Sequence, residues 1–65
     1  GKSEIIISLI QKKFHKGYSI QDIADALEEP LDTITPIVKL IEQYPDASTE
    51  EIFEMLKEED SMMLL

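Results

Sequence analysis

Few residues of this chain could do acid–base or metal chemistry, and their spacing does not favour it. His15 is the sole histidine, cysteine is absent, and no HxxxH or HxxE spacing surrounds the histidine. A metal site needs several such ligands at one point. The carboxylate pairs Asp22/Asp25 and Glu50/Glu54 are expected on exposed helix faces, where solvation explains them better than catalysis, which needs a cleft. We therefore predict that the protein is not an enzyme and has no catalytic residue, metal or cofactor.

Positive charge is concentrated in a basic cluster of Lys12, Lys13, His15 and Lys16, whose three lysines we call the lysine cluster. It is the one place where an anion could dock. A simpler interpretation is a solvated helix end, because cations are stabilised near the negative end of the helix dipole. We favour that interpretation.

The remaining charge is strongly negative. Residues 1–16 carry four lysines and one glutamate, whereas residues 17–65 carry two lysines and thirteen carboxylates, which gives a net charge of −8. Arginine, the residue that reads guanine edges and clamps phosphates, is absent. Such a balance opposes binding to nucleic acid and to acidic membranes.

The length of 65 residues allows one small domain with a single core, because so short a chain buries only about 60% of its unfolded surface. Without disulfides, extra stability must come from helix packing or self-association. No apolar run approaches the roughly 18 residues of a membrane span, and the first residues lack the features of a signal peptide. We expect a cytoplasmic protein with no membrane partner.

Hydrophobic spacing predicts four helices and no strand. The first is expected over residues 3–16, with Gly17 as the glycine that ends it. The second opens at the N-cap Ser19 and is broken before Pro30. The core positions expected in these two helices are Ile6, Ile10 and Phe14, with Ile7 and Leu9 widening the stripe, and then Ile20, Ile23, Ala24 and Leu27.

The third helix is expected to start near Asp32 or Thr33, so that Pro36 falls within or just beyond its first turn, where a missing amide hydrogen is tolerated. Residues 45–46 close it. Ser48 and Glu51 form a capping box for the fourth helix, which is expected to end at residues 60–61. The predicted core positions here are Ile34, Ile37, Val38, Ile41, Tyr44, Ile52, Phe53 and Leu56, with Leu40 and Met55 outside the stripes.

Residues 19–35, SIQDIADALEEPLDTIT, have the outline of a helix-turn-helix. Glu28 occupies the place where such turns usually have glycine. The alternative function is therefore a DNA-binding module with residues 34–43 as its recognition helix. Its expected DNA contacts are Lys12, Lys13, Lys16, Thr33 and Thr35. The charge balance argues against this alternative, and we do not expect nucleic acid to be a partner.

Aliphatic side chains exceed what so small a core is expected to hold. Five of the six residues in 5–10 are aliphatic, and residues 62–65 read Met-Met-Leu-Leu. Surplus apolar surface is typical of an interface. We predict a homodimer whose self-association residues are Ile5, Ile6, Leu9, Ile10, Met62 and Leu64.

The run over residues 9–29, LIQKKFHKGYSIQDIADALEE, contains a Lys-Lys pair, KGYS and IADALE. Together with the aliphatic helix and short fourth helix after it, this run resembles the C-terminal segment of the Rpn family of recombination-promoting nucleases, also described as transposase-like proteins. The resemblance implies that residues 1–65 are the C-terminal segment of a longer protein. That family's metal-binding carboxylates belong to an N-terminal domain of the PD-(D/E)XK nuclease fold, and no residue here matches them.

The resemblance also implies dimerisation through this segment. In some family members the segment is produced separately and restrains the full-length nuclease. We thus predict a compact all-α bundle of four short helices with a helix-turn-helix-like centre. Its predicted function is that of a non-catalytic dimerisation and protein-interaction module, whose partners are a second copy and a full-length nuclease of the same family.

Overall fold

The computed structural model describes the backbone of residues 2–63 and the side chains of residues 3–58. Over these residues the chain forms four α-helices and no strand, which confirms the predicted all-α bundle of four helices. The helices are α1 (Lys2–His15), α2 (Ile20–Leu27), α3 (Leu31–Gln43) and α4 (Thr49–Met63).

Helices α1 and α3 each contact all three of the other helices in the bundle. Helices α1 and α4 are antiparallel. The first two turns of α1 lie across a cleft from Phe53 and Leu56, whereas Gln11 reaches the start of α4. Gln11 Nε2 donates to the Ala47 carbonyl at 3.1 Å, and its Oε1 accepts from Thr49 Oγ1 at 2.6 Å. This pair of bonds fastens α1 to the α3–α4 loop.

Helices α1 and α2 end in the same backbone motif. After α1, the Tyr18 amide donates to the Lys13 carbonyl and the Gly17 amide to the Phe14 carbonyl, which is the Schellman pattern. Gly17 has a φ of +92°, a conformation that is easy for glycine because it has no Cβ. The glycine predicted to end the first helix does so.

At the end of α2 the residue in the left-handed conformation is Glu28, with a φ of +55°. The Glu29 amide donates to the Ala24 carbonyl and the Glu28 amide to the Asp25 carbonyl, so this turn is again a Schellman motif. Glutamate thus occupies a glycine position, as the sequence indicated. Left-handed backbone costs an L-residue about 1–2 kcal/mol.

Side-chain caps begin α2 and α4 as predicted. Ser19 Oγ accepts from the Asp22 amide at 3.1 Å. Before α4, Ser48 Oγ accepts from the Glu51 amide at 3.1 Å, while the Glu51 carboxylate accepts from the Ser48 amide at 2.9 Å. Each bond satisfies an amide that has no acceptor within its helix.

The core is built from β-branched aliphatic residues. Ten of the hydrophobic residues whose side chains are described are buried, and all four helices contribute to them. The largest side chains that are fully buried are Ile7, Ile10, Ile23, Ile34, Val38, Ile41 and Ile52. No polar or charged residue among those described is buried.

Helix α3 begins earlier than predicted, at Leu31, with Pro30 as its N-cap residue. Pro36 is consequently the sixth residue of the helix and lies inside it, not within the first turn. Because proline has no amide hydrogen, the Asp32 carbonyl lacks the bond that position 36 would normally supply. The predicted start was one or two residues too late, because Pro30 itself initiates the helix. Pro36 lies just beyond the first turn, but at a position whose amide would have an acceptor within the helix.

Two burial predictions in α3 were wrong. Leu40 is only 6% exposed, because α3 is surrounded by three helices and buries more than one stripe. Tyr44 is 49% exposed, because its φ of −130° and ψ of 68° take it out of the helix before another turn is completed. Helix α4 also continues through residues 60–61 to Met63. No glycine or proline follows residues 60–61 to stop it.

Candidate interaction surface

An exposed apolar ridge runs along α1. It consists of Ile5 and Leu9, which are one turn apart and 63% and 39% exposed. Lys12 continues the same face at helical spacing, and Lys16 follows in the turn after α1; both are exposed. The outer face of α1 is therefore apolar in its first half and cationic in its second.

The core absorbs more of the aliphatic surplus than the sequence suggested. Ile7 and Ile10 are buried in the core, and Ile6 packs against it from the edge. Ile10 was predicted to take part in self-association, but its side chain is 0% exposed and is not available to a partner. The candidate surface on α1 is reduced to Ile5 and Leu9, with Ile6 at its border.

Beside the ridge, a cleft of about 350 Å³ opens between α1, α3 and α4. Its walls are mostly apolar, and its rim carries Ser3, Asp32, Thr33 and Lys57. The Lys57 ammonium lies 5.1 Å from the centre of the Phe53 ring, within cation–π range. The apolar lining comprises Ile6, Ile7, Pro36, Ile37, Phe53 and Leu56.

Ile6 connects the ridge with the cleft. It lies three residues before Leu9, so the two side chains are neighbours on the helix surface, and it also lines the cleft. The projecting ridge and the recessed cleft therefore lie side by side, and no polar residue of α1 separates them. The cleft could not be predicted from the sequence, because its three walls come from segments far apart in the chain.

The lysine cluster lies at the carboxyl end of α1, where the helix dipole favours cations. The Lys13 ammonium stacks over the Tyr18 ring at 5.3 Å from its centre. His15 makes an edge-on contact with Phe14, with ring centres 5.9 Å apart. These contacts hold Lys13 and His15 against neighbouring aromatic rings, whereas Lys12 and Lys16 are exposed.

The alternative DNA contacts are not brought together. Thr33 lines the cleft together with Ser3, near the start of α1. Lys12 is nine residues further along α1, or about 14 Å at 1.5 Å per residue. Thr35 donates its hydroxyl to the Leu31 carbonyl at 2.8 Å, within its own helix. The lysine cluster and the threonines thus face different ends of the bundle.

The remaining candidate groups form no site in the part of the chain that is described. Asp22, Asp25, Glu50 and Glu54 are all exposed. Among the described residues, no three histidine, cysteine or carboxylate side chains are grouped to hold a metal ion. None of the described helices is both long and apolar enough to cross a membrane.

Two predicted self-association residues lie at the end of the chain. Leu64 is outside the described residues, and Met62 is described only as a backbone position within α4. Their part in the predicted surface stays a prediction.

Comparison of the chain with known protein families, curated proteins and solved structures finds no match. Membership of the Rpn family, suggested by the run over residues 9–29, accordingly stays a prediction. The candidate surface is defined by the fold alone.

Proposed function

We propose that this domain is a non-catalytic protein-interaction module that forms a homodimer through the outer face of α1. The observation that carries the proposal is the exposure of Ile5 and Leu9 on one face of a helix. Exposed aliphatic side chains that adjoin an apolar cleft are typical of interaction sites.

The size of the ridge limits how the dimer forms. Burying a whole aliphatic side chain is worth about 1.5–3 kcal/mol. The exposed parts of Ile5 and Leu9 add to about one whole side chain, so covering them is worth about 1.5–3 kcal/mol per copy, or about 3–6 kcal/mol for two. A micromolar dimer needs about 8 kcal/mol net, beyond an association cost of about 4 kcal/mol or more. The ridge must therefore contact further apolar surface.

The test is the mass in solution, measured by light scattering from about 10 to several hundred micromolar. We expect twice the monomer mass of 7.4 kDa for the wild-type chain. Changing both Ile5 and Leu9 to Gln should give a monomer, because the interface loses its apolar centre while the core is untouched.

The matched control changes Tyr44 to Gln. This side chain is similarly exposed, at 49%, but belongs neither to α1 nor to the lining of the cleft. This variant should remain dimeric. A wild-type monomer at all concentrations, or equal loss of the dimer in the Ile5/Leu9 variant and in the control, would show that the proposal is wrong.

The Rpn resemblance extends the proposal to a second partner, the corresponding segment of a full-length nuclease. A segment that pairs with itself would also pair with its copy in the longer protein, because an isologous patch does not distinguish them. Titrating such a nuclease with this chain should lower any activity that requires two catalytic domains. Unchanged activity despite exchange confirmed by mass would limit the role to self-association.

Binding to DNA is not expected, because positive charge supplies most non-specific affinity and the chain carries a net charge of −8. A mobility shift of duplex DNA at micromolar protein and physiological salt would favour the alternative. Loss of that shift on changing Lys12, Lys13 and Lys16 to Glu would identify the contacts.

A further inference from the structure

We propose that the ridge of each copy seats in the cleft of the other, with the two α1 helices antiparallel. The occupant of the cleft is thus a second copy of this chain. This inference rests on the proposed homodimer and specifies its geometry.

The first argument is shape. Ile5 and Leu9 project from α1, while the cleft beside them is bordered by Ile6 of the same helix. A two-fold axis near α1 would bring each ridge opposite the partner's cleft and each cleft opposite the partner's ridge, as an isologous interface requires. The ridge and the cleft of each copy would then both be buried. The cleft would supply the further apolar surface that a micromolar dimer needs.

The second argument is charge, and it sets the direction of the helices. The lysine cluster lies at the carboxyl end of α1. The opposite end of α1 adjoins the start of α3, where Asp32 lines the cleft rim together with Ser3. Glu28 and Glu29 immediately precede α3. We call Glu28, Glu29 and Asp32 the acidic turn.

Antiparallel α1 helices would place the lysine cluster of each copy at the acidic turn of the other. Parallel helices would instead bring the two lysine clusters together, and like charges across an interface disfavour association. Opposite charges therefore meet at both ends of the ridge only when the two α1 helices are antiparallel.

The decisive experiment is a charge exchange. One variant carries Lys12→Glu, Lys13→Glu and Lys16→Glu, and the other carries Glu28→Lys, Glu29→Lys and Asp32→Lys. Each variant alone should dimerise about 100-fold more weakly than wild type, since both of its contacts become repulsive. Mixing the two should restore a heterodimer to within about threefold of the wild-type Kd, because both contacts are again between opposite charges.

The matched control carries Glu42→Lys, Asp46→Lys and Glu58→Lys, which changes the net charge equally at residues that do not line the cleft. It should dimerise like wild type and should not rescue the lysine-cluster variant. Heterodimers are identified by native mass spectrometry, and helical circular dichroism verifies that each variant is folded.

Cysteine crosslinking provides a second measurement that does not depend on the charge variants. The chain has no cysteine, so single cysteines can be placed at will. A copy with Leu9→Cys should form a disulfide with a copy carrying Lys57→Cys, at the cleft rim, and not with one carrying Glu42→Cys.

The outcomes separate this inference from the proposed function. A monomeric wild-type chain would overturn both the proposed homodimer and the ridge-in-cleft geometry. A wild-type dimer whose charge variants are not rescued by mixing, or whose Leu9→Cys copies crosslink only to one another, would overturn the ridge-in-cleft geometry and leave the homodimer in place. Rescue together with the Leu9–Lys57 crosslink would establish it.

Discussion

Replacing Glu28 with glycine is expected to stabilise the domain by about 0.5–1 kcal/mol. Glu28 has a φ of +55°, and this left-handed backbone costs an L-residue about 1–2 kcal/mol. Glycine removes that cost but gains more freedom in the unfolded chain, which takes back about 0.4–1 kcal/mol. The two effects leave a net gain, since the hydrogen bonds of the turn are made by the backbone and remain.

Gly17 provides the reverse experiment within the same motif. A Cβ built at Gly17 would meet no atom within 4 Å, so Gly17→Ala introduces backbone strain without a steric clash. We expect this change to destabilise the domain by about 0.5–1 kcal/mol, the same magnitude with the opposite sign.

The assay is thermal unfolding followed by circular dichroism at 222 nm. For a domain of this size, 1 kcal/mol shifts Tm by about 4–8 °C, so the two changes should move Tm by about 2–8 °C in opposite directions. Glu28→Gln is the control, because it removes the charge at the carboxyl end of α2 but keeps the strained backbone. If Glu28→Gly were no more stable than Glu28→Gln, the argument from backbone strain would be refuted.

Three further changes test the helix contacts. Gln11→Ala should destabilise the domain by about 1–3 kcal/mol, measured by urea unfolding, because it removes the bonds that fasten α1 to the α3–α4 loop; an unchanged midpoint would contradict this. Ser48→Ala should cost about 1 kcal/mol through loss of the capping box and increase amide exchange in the first turn of α4. Pro36→Ala should raise Tm, with a gain of about 1–3 kcal/mol from a restored amide donor inside α3; a lower Tm would show that the proline ring is needed in the cleft.

Local signals in the sequence were sufficient to find the four helices, the N-caps of α2 and α4 and the glycine that ends α1. Ser19, Gly17 and the Ser48/Glu51 pair each act through bonds to backbone groups within a few residues. Such bonds depend on residue type and spacing alone, so they are visible without the tertiary structure.

Burial within α3 and α1 depends on neighbouring helices and was predicted less well. Leu40 is buried because α3 is packed on several sides, which spacing within one helix does not reveal. For the same reason the sequence indicated that α1 carries more aliphatic side chains than the core can hold, but it did not show which of them stay exposed. Ile10 faces inward, whereas Ile5 remains outside, because α3 and α4 cover only the opposite side of the helix.

The composition of the core bears on how uniquely the chain packs. Each of its largest fully buried side chains is an isoleucine or a valine, and in a helix these residues have one strongly preferred χ1 rotamer. In the helical conformation most of these side chains are therefore restricted to one orientation, so little rotamer freedom remains to be lost when they are buried. The same rigidity makes leucine a poor replacement for Ile23 or Ile34 despite equal volume, because the branch would move one carbon outward into a neighbour that cannot adjust. A bundle of only 65 residues can thus hold a single ordered interior where a core of flexible leucines and methionines of the same size would interconvert among several packings.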